Sequence, residues 1–229
     1  MKNWKLKLSL IINYIIFAIL LNSVGVVILQ VINDFGVNPE SASVLEAWKD
    51  LSIAIASFLL ASYIPRFGYK RAMITGLSVV ILGSIMMPLF GGFAMSQMLF
   101  AMVGVSFALI KISVYSTVSL VTENANEHAS FMSILEGFFM IGVLSGFWLF
   151  GFFIDLANNS DTIDWLDTYW VLAGIGMLAL LLLLSTDLDE SSIKTETDNP
   201  LQDFKDMIGL IKYAVVIFFI LGAFLYVYI

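Results

Sequence analysis

The chain has 229 residues, of which 60% are hydrophobic, 14% aromatic and only 13% charged, with a net charge of −7 and a mean hydropathy of +0.95. A soluble globular protein carries about 45–50% apolar and about 25% charged residues, so too few charges remain to coat a water-facing surface, and a soluble enzyme, a nucleic-acid binder and a disordered tail are excluded. Cysteine is absent, which removes disulfides and thiolate-bound metals, and the acids cluster in polar gaps, so the negative balance points to no basic partner.

A helix needs about 20 apolar residues to cross a hydrocarbon core about 30 Å thick. Seven runs qualify, at about 8–31, 44–65, 71–90, 95–121, 130–154, 168–185 and 209–229. Unbroken runs such as Leu178 to Leu184 do not suit the alternating strands of a barrel. The fold class is all-α, a polytopic membrane helix bundle whose surroundings are the lipid bilayer. The first run starts too near Met1, and is too long, for a cleaved signal peptide. The expected organisation is a six-helix bundle over 1–185, a polar linker over 186–208 with a short amphipathic helix near Pro200 to Met207, and a seventh span over 209–229. Because the last apolar run stops at Ile229 without a polar tail, it reads as the first helix of a truncated second half, and a missing carboxy-terminal half is an expected partner.

Nine of the eleven Lys and Arg residues lie in or beside segments that alternation puts on one side: Lys2, Lys5, Lys7, Arg66, Lys70, Arg71, Lys194, Lys205 and Lys212. The segments near 32–43, 91–94 and 155–167 have none. By the positive-inside rule the amino terminus is cytoplasmic, in a plasma membrane of the bacterial inner-membrane kind. Asp155, Asp161, Asp164 and Asp167 mark an outer loop, where Trp165, Tyr169 and Trp170 read as an interfacial aromatic anchor.

The polar residues inside the spans are few. Tyr14, Asn22 and Gly25 share broadly one face of the first span; Asn22 reads as a cavity-lining hydrogen-bonder or as half of an interhelical bond. In the second span Glu46 and Asp50 are four apart and share a face, with Lys49 able to neutralise Glu46. Two carboxylates beside one cation in a poor dielectric suit proton coupling, although Glu46 also suits an interfacial position. The loop that follows reads Ala61-Ser-Tyr-Ile-Pro-Arg-Phe-Gly-Tyr-Lys-Arg71. Its sharp turn needs the freedom of Gly68, and Arg66, Lys70 and Arg71 suit helix carboxyl ends and anionic headgroups.

Lys111 sits near the midpoint of the fourth span, with Ala108 and Tyr115 at i−3 and i+4 and Gly104 two turns away. A charge at a helix centre costs about 2.5–3.5 kcal/mol, and such residues face the bundle interior and mark a pathway. Lys111 therefore reads as a cavity cation that binds solute, or as half of an ion pair with Asp50 or Glu136. Glu136, about two turns inside the fifth span, is a coupling acid or part of an inner gate. Gly142 and Gly146 read as a close helix contact. The single histidine, His128, lies in a connection and assembles no catalytic or metal site, so no cofactor and no enzyme constellation is expected. Asn158-Asn159-Ser160 matches a glycosylation acceptor, a pattern common by chance.

The loop resembles the signature G-x-x-x-D-R-x-G-x-R-R of the major facilitator superfamily. Arg66, Gly68 and Arg71 match, Lys70 keeps a basic position, Ala61 replaces the first glycine and Pro65 replaces the aspartate. The resemblance covers essentially the whole chain as an amino-terminal half, and it implies two inverted three-helix repeats around a midplane site. It implies transport by alternating access, with Asn22 and Lys111 at similar depth on opposing walls. Tyr14 and Tyr115 would join them in binding a small polar solute, a sugar or small organic acid. Asp50, Glu136 and Glu46 would serve a coupling cation, H+ or Na+, in symport. Pro65 alters the family's charge network at this loop, Phe100 stands where a second signature has arginine, and Phe147 with no proline gives antiport no support. The second and third spans are weakly similar to fucose-permease-like sugar transporters. The rival reading is a polytopic protein that transports nothing, a sensor or assembly factor.

Overall fold

The computed structural model describes residues 4–159, 164–190 and 200–228. The elements are α1 (Trp4–Asn22), α2 (Val24–Phe35), α3 (Pro39–Leu60), α4 (Ile64–Phe67), α5 (Tyr69–Phe90), α6 (Gly92–Val121), α7 (Ala125–Asn159), α8 (Thr168–Leu184), α9 (Pro200–Gly209) and α10 (Ala214–Tyr228), with short 3-10 turns at Trp165–Asp167 and Leu210–Lys212. No strand occurs among the described residues. Among the described residues five helices are long and apolar enough to cross a membrane by themselves: Trp4–Asn22, Tyr69–Phe90, Gly92–Val121, Ala125–Asn159 and Trp165–Leu184 counted with its leading turn.

Two of the expected spans, the first and the second, differ from the sequence expectation. The first run is two helices in line, broken at Ser23. There the Asn22 amide donates to the Ala18 carbonyl at 2.9 Å, the Ser23 hydroxyl to Leu20 at 2.9 Å, and the Lys49 ammonium to Leu21 at 3.4 Å. Side-chain donors set into a helix's carbonyl ladder are a recognised cause of bends. The second run forms α3, which starts earlier than its apolar stretch because Asn38 caps it, accepting from the Ser41 amide at 2.7 Å, and Pro39 fits the first helical position. Its first half carries Glu40, Glu46, Lys49 and Asp50, which leaves it more charged than the other spans.

α1 forms the spine of the core, with Leu10, Tyr14, Phe17 and Leu20 fully buried. α7 and α8 pack on it, α5 lies between α6 and α8, and α3 packs on α6. Two glycines set the closest approaches. A Cβ at Gly104 of α6 would stand 2.5 Å from the Lys49 carbonyl oxygen of α3, and one at Gly142 of α7 would stand 2.7 Å from Ala18 Cβ and 2.8 Å from the Ile15 carbonyl oxygen of α1. Gly142 thus makes the helix contact its spacing suggested.

At one end of the bundle lie Lys7 and the basic loop; at the other, Asp34 and Asp164. The aromatic anchor is only partly an anchor. Trp165 is 3% exposed and Tyr169 0%, while Trp170 faces outward. The Trp165 indole N–H donates to the Asp34 carboxylate at 2.6 Å, so a polar partner on α2 draws the ring into the bundle. Lys2, Ser160 of the glycosylation pattern, Asp161 and Lys194 lie outside the described residues, as does the middle of the linker. The amphipathic helix expected there is α9.

Candidate functional site

Residues four apart on a helix share one face, and α6 presents Phe107, Lys111 and Tyr115 in that register. α1 brings Tyr14 and Phe17 to the same place, and α7 brings Glu136 and Phe139. The rings form a continuous wall: Phe17 to Phe107 is 6.0 Å between centroids, Phe107 to Phe139 6.3 Å, Tyr14 to Phe139 5.8 Å and Tyr14 to Tyr115 6.4 Å. All lie within the range of attractive aromatic contacts.

Two polar features sit on this wall. The Tyr115 hydroxyl donates to the Glu136 carboxylate at 2.7 Å, joining α6 to α7. The Lys111 ammonium lies 5.5 Å from the Phe107 ring centre and 5.7 Å from that of Tyr115, an exposed cation held by cation–π attraction. Among the described residues no carboxylate lies within ion-pair distance of Lys111, so neither Asp50 nor Glu136 pairs with it. The Tyr14 hydroxyl is buried with no hydrogen-bond partner among the described residues.

Asp50 and Glu46 belong to a separate cluster on α3. Lys49 pairs with Asp50 at 3.4 Å and with Glu46 at 4.0 Å; both carboxylates are 61% exposed and the lysine only 11%. The lysine reaches inward to the break after α1, where Asn22 bonds to its own helix and to no part of the Lys111 wall.

The basic loop is a helical turn, α4, followed by Gly68 at φ +96°, a conformation that L side chains resist. Arg66 donates to the Ser62 carbonyl at 2.8 Å, and Lys70 reaches the carbonyls of Leu184 and Thr186 at the end of α8, the helix carboxyl end that suits a cation. Arg71 begins α5 beside them.

At the same end a cavity of about 600 Å³ is lined by Trp4, Lys7, Thr122, Glu127, Asp187 and their neighbours. Lys7 and Glu127 form an ion pair of 2.8 Å across it. With 35 residues, α7 is about 52 Å long at 1.5 Å per residue, far more than the hydrocarbon is thick, so its first turn stands outside the membrane. The Glu127 carboxyl there is held below the usual carboxylate range, first by the Lys7 hydrogen bond and then by the Glu123 backbone N–H. Among the described residues no cluster of three His, Asp or Glu side chains could hold a metal ion.

A sequence profile of the Major Facilitator Superfamily matches residues 10–229. The chain belongs to the major facilitator superfamily. It is therefore an integral membrane protein of a transporter family, and the loop resemblance and the helical fold agree with the match. No curated protein matches the chain at a significant level. In this superfamily member Tyr14, Tyr115, Lys111 and Glu136 lie together with Phe17, Phe107 and Phe139, rings that the sequence pattern does not single out. The signal was present in part: Phe107 stands four before Lys111.

Proposed function

We propose that the chain is the amino-terminal half of an alternating-access symporter that carries a small organic acid together with a proton. Lys111 is the observation that carries this reading: an exposed cation, paired with no acid among the described residues and backed by two rings. A solute carboxylate is the partner such an ammonium lacks. Tyr115 and Glu136 stand one turn along the same wall, where Glu136 would take the coupling proton: ionised it accepts from Tyr115, protonated it gains a donor of its own. A lone carboxylate suits H+ better than Na+, which prefers several oxygen ligands. Tyr14 would complete the solute wall, while Asn22, bonded to its own helix at the break after α1, would stand apart from it, and Asp50 with Glu46 would act as a secondary acid pair near the outer surface. The basic loop supports a cytoplasmic amino terminus in a bacterial inner membrane. A carboxy-terminal half would supply the facing wall against which this one rocks.

The test is uptake of labelled small carboxylates into proteoliposomes containing the full-length transporter, driven by a pH gradient. Lys111→Ala should abolish uptake with normal folded yield. Loss of yield that a second neutral change at Asp50 or Glu136 restores, along with transport, would make Lys111 a structural ion. A neutral-sugar reading is favoured by the aromatic wall itself; uptake of sugars but not acids would select it.

A further inference from the structure

Helix amino ends leave backbone N–H groups unmet and helix carboxyl ends leave carbonyls unmet, and the basic-loop end of this bundle meets both with one exchange of side chains. The Lys70 backbone N–H, in the first turn of α5, donates to Glu190 Oε1 at 2.8 Å. The other oxygen of that carboxylate fills the space beside Gly68, 2.7 Å from where a Cβ would be. In return the Lys70 ammonium donates to the carbonyls of Leu184, at 3.5 Å, and Thr186, both at the end of α8. An anion therefore sits at one helix amino end and a cation at another's carboxyl end, the favourable sense for both dipoles. Between the two attachments Leu188 packs against the core, and Asp187, Leu188 and Asp189 line one side of the cavity that Lys7, Thr122 and Glu127 line on the other.

We infer that residues 184–190 are a strap across the mouth of this cavity, and that Glu190 is the positioning residue that fastens the strap's far end to the signature turn at Gly68–Lys70. The mouth lies below the Tyr115–Glu136 pair, since Thr122 is seven residues, about 10 Å, further along α6. While the strap is fastened, α5 and α8 are tied together at this end and the mouth of the cavity stays narrow. This goes beyond the solute reading and is tested without any solute.

The chain has no cysteine, so a thiol at Thr122→Cys is unique. In the full chain held in lipid nanodiscs, Glu190→Ala should speed hydrogen exchange of the Lys70 amide about tenfold, as expected for losing a bond to a charged acceptor. It should also speed labelling of Thr122→Cys by an impermeant maleimide several-fold, and Glu190→Asp should return part of both effects. Should Glu190→Ala not fold, Glu190→Gln, which keeps an acceptor and drops the charge, gives the same two readouts in weaker form. Unchanged exchange at Lys70 overturns the attachment. Faster exchange with unchanged labelling of Thr122→Cys overturns the strap's part in closing the mouth.

Discussion

At the scale of single residues, the Tyr115–Glu136 bond and the Lys7–Glu127 pair make opposite demands on experiment. Tyr115→Phe removes one half-buried donor and leaves the Glu136 carboxylate without that partner, a loss of about 1 kcal/mol, the net worth of an ordinary hydrogen bond. The expected outcome is a lower unfolding midpoint together with a changed pH profile of uptake, whereas Tyr115→Phe with Glu136→Gln should regain most of the midpoint but not the profile. Lys7–Glu127 lies at the water-facing end and is worth little, as exposed pairs are. Its sign is nonetheless fixed. The folded-state affinity of Glu127 for a proton is depressed, so its contribution is present above the ordinary carboxylate pKa and disappears as pH falls through the lowered one. Wild type and Glu127→Gln should therefore melt slightly apart at pH 7 and together in strong acid. Lys111, Glu136 and the tyrosines were legible in the sequence because charges and hydroxyls are rare inside apolar runs. Phe17, Phe107 and Phe139 were not, because in a chain with 19 phenylalanines no single ring stands out before its neighbours are known.

At the scale of elements, close contacts between helices rest on Gly104 and Gly142. Gly142→Ala would push a methyl group against the Ile15 backbone, and overpacking of this kind costs about 1–3 kcal/mol. Its unfolding midpoint in detergent should drop clearly, while Gly151→Ala on the same helix, with open space around it, should leave the midpoint unchanged or slightly higher. Helix class and the extent of most spans followed from apolar run length. The break at Ser23 did not, since the donor that completes it, Lys49, comes from 28 residues away. The inward turn of Trp165 was hidden for the same reason: its partner Asp34 is 131 positions distant. Local pattern reports what a segment prefers, and these two exceptions were decided by a polar group on another helix.

At the scale of the whole molecule, α7 is the least buried of the long apolar helices, and Lys111, Asn22 and Asp50 are each exposed. Polar groups set against hydrocarbon are costly, so the 229-residue chain alone should self-associate or lose stability. On the proposal that a second half supplies the facing wall, it should show no solute flux above empty liposomes, and co-expression with such a half should recover some. Robust uptake by the chain alone would mean that two copies make a working pair. Topology is tested separately: cysteines placed singly at Asn158 and Asp187 should react with an impermeant reagent from opposite sides of the membrane, and reaction from one side would refute the arrangement of spans.

The break at Ser23 has a mechanical consequence. The elbow between α1 and α2 is gripped by the Lys49 side chain, and the backbone of that same residue is what α6 touches at Gly104. Three helices are thus threaded through one lysine. A contact this tight has no slack, because packed interiors transmit strain rather than absorb it. Sliding of α6, on which Lys111 rides two turns beyond Gly104, presses on the Lys49 backbone and through its side chain on the joint at Ser23, so the joint in the first span is coupled to the position of the fourth.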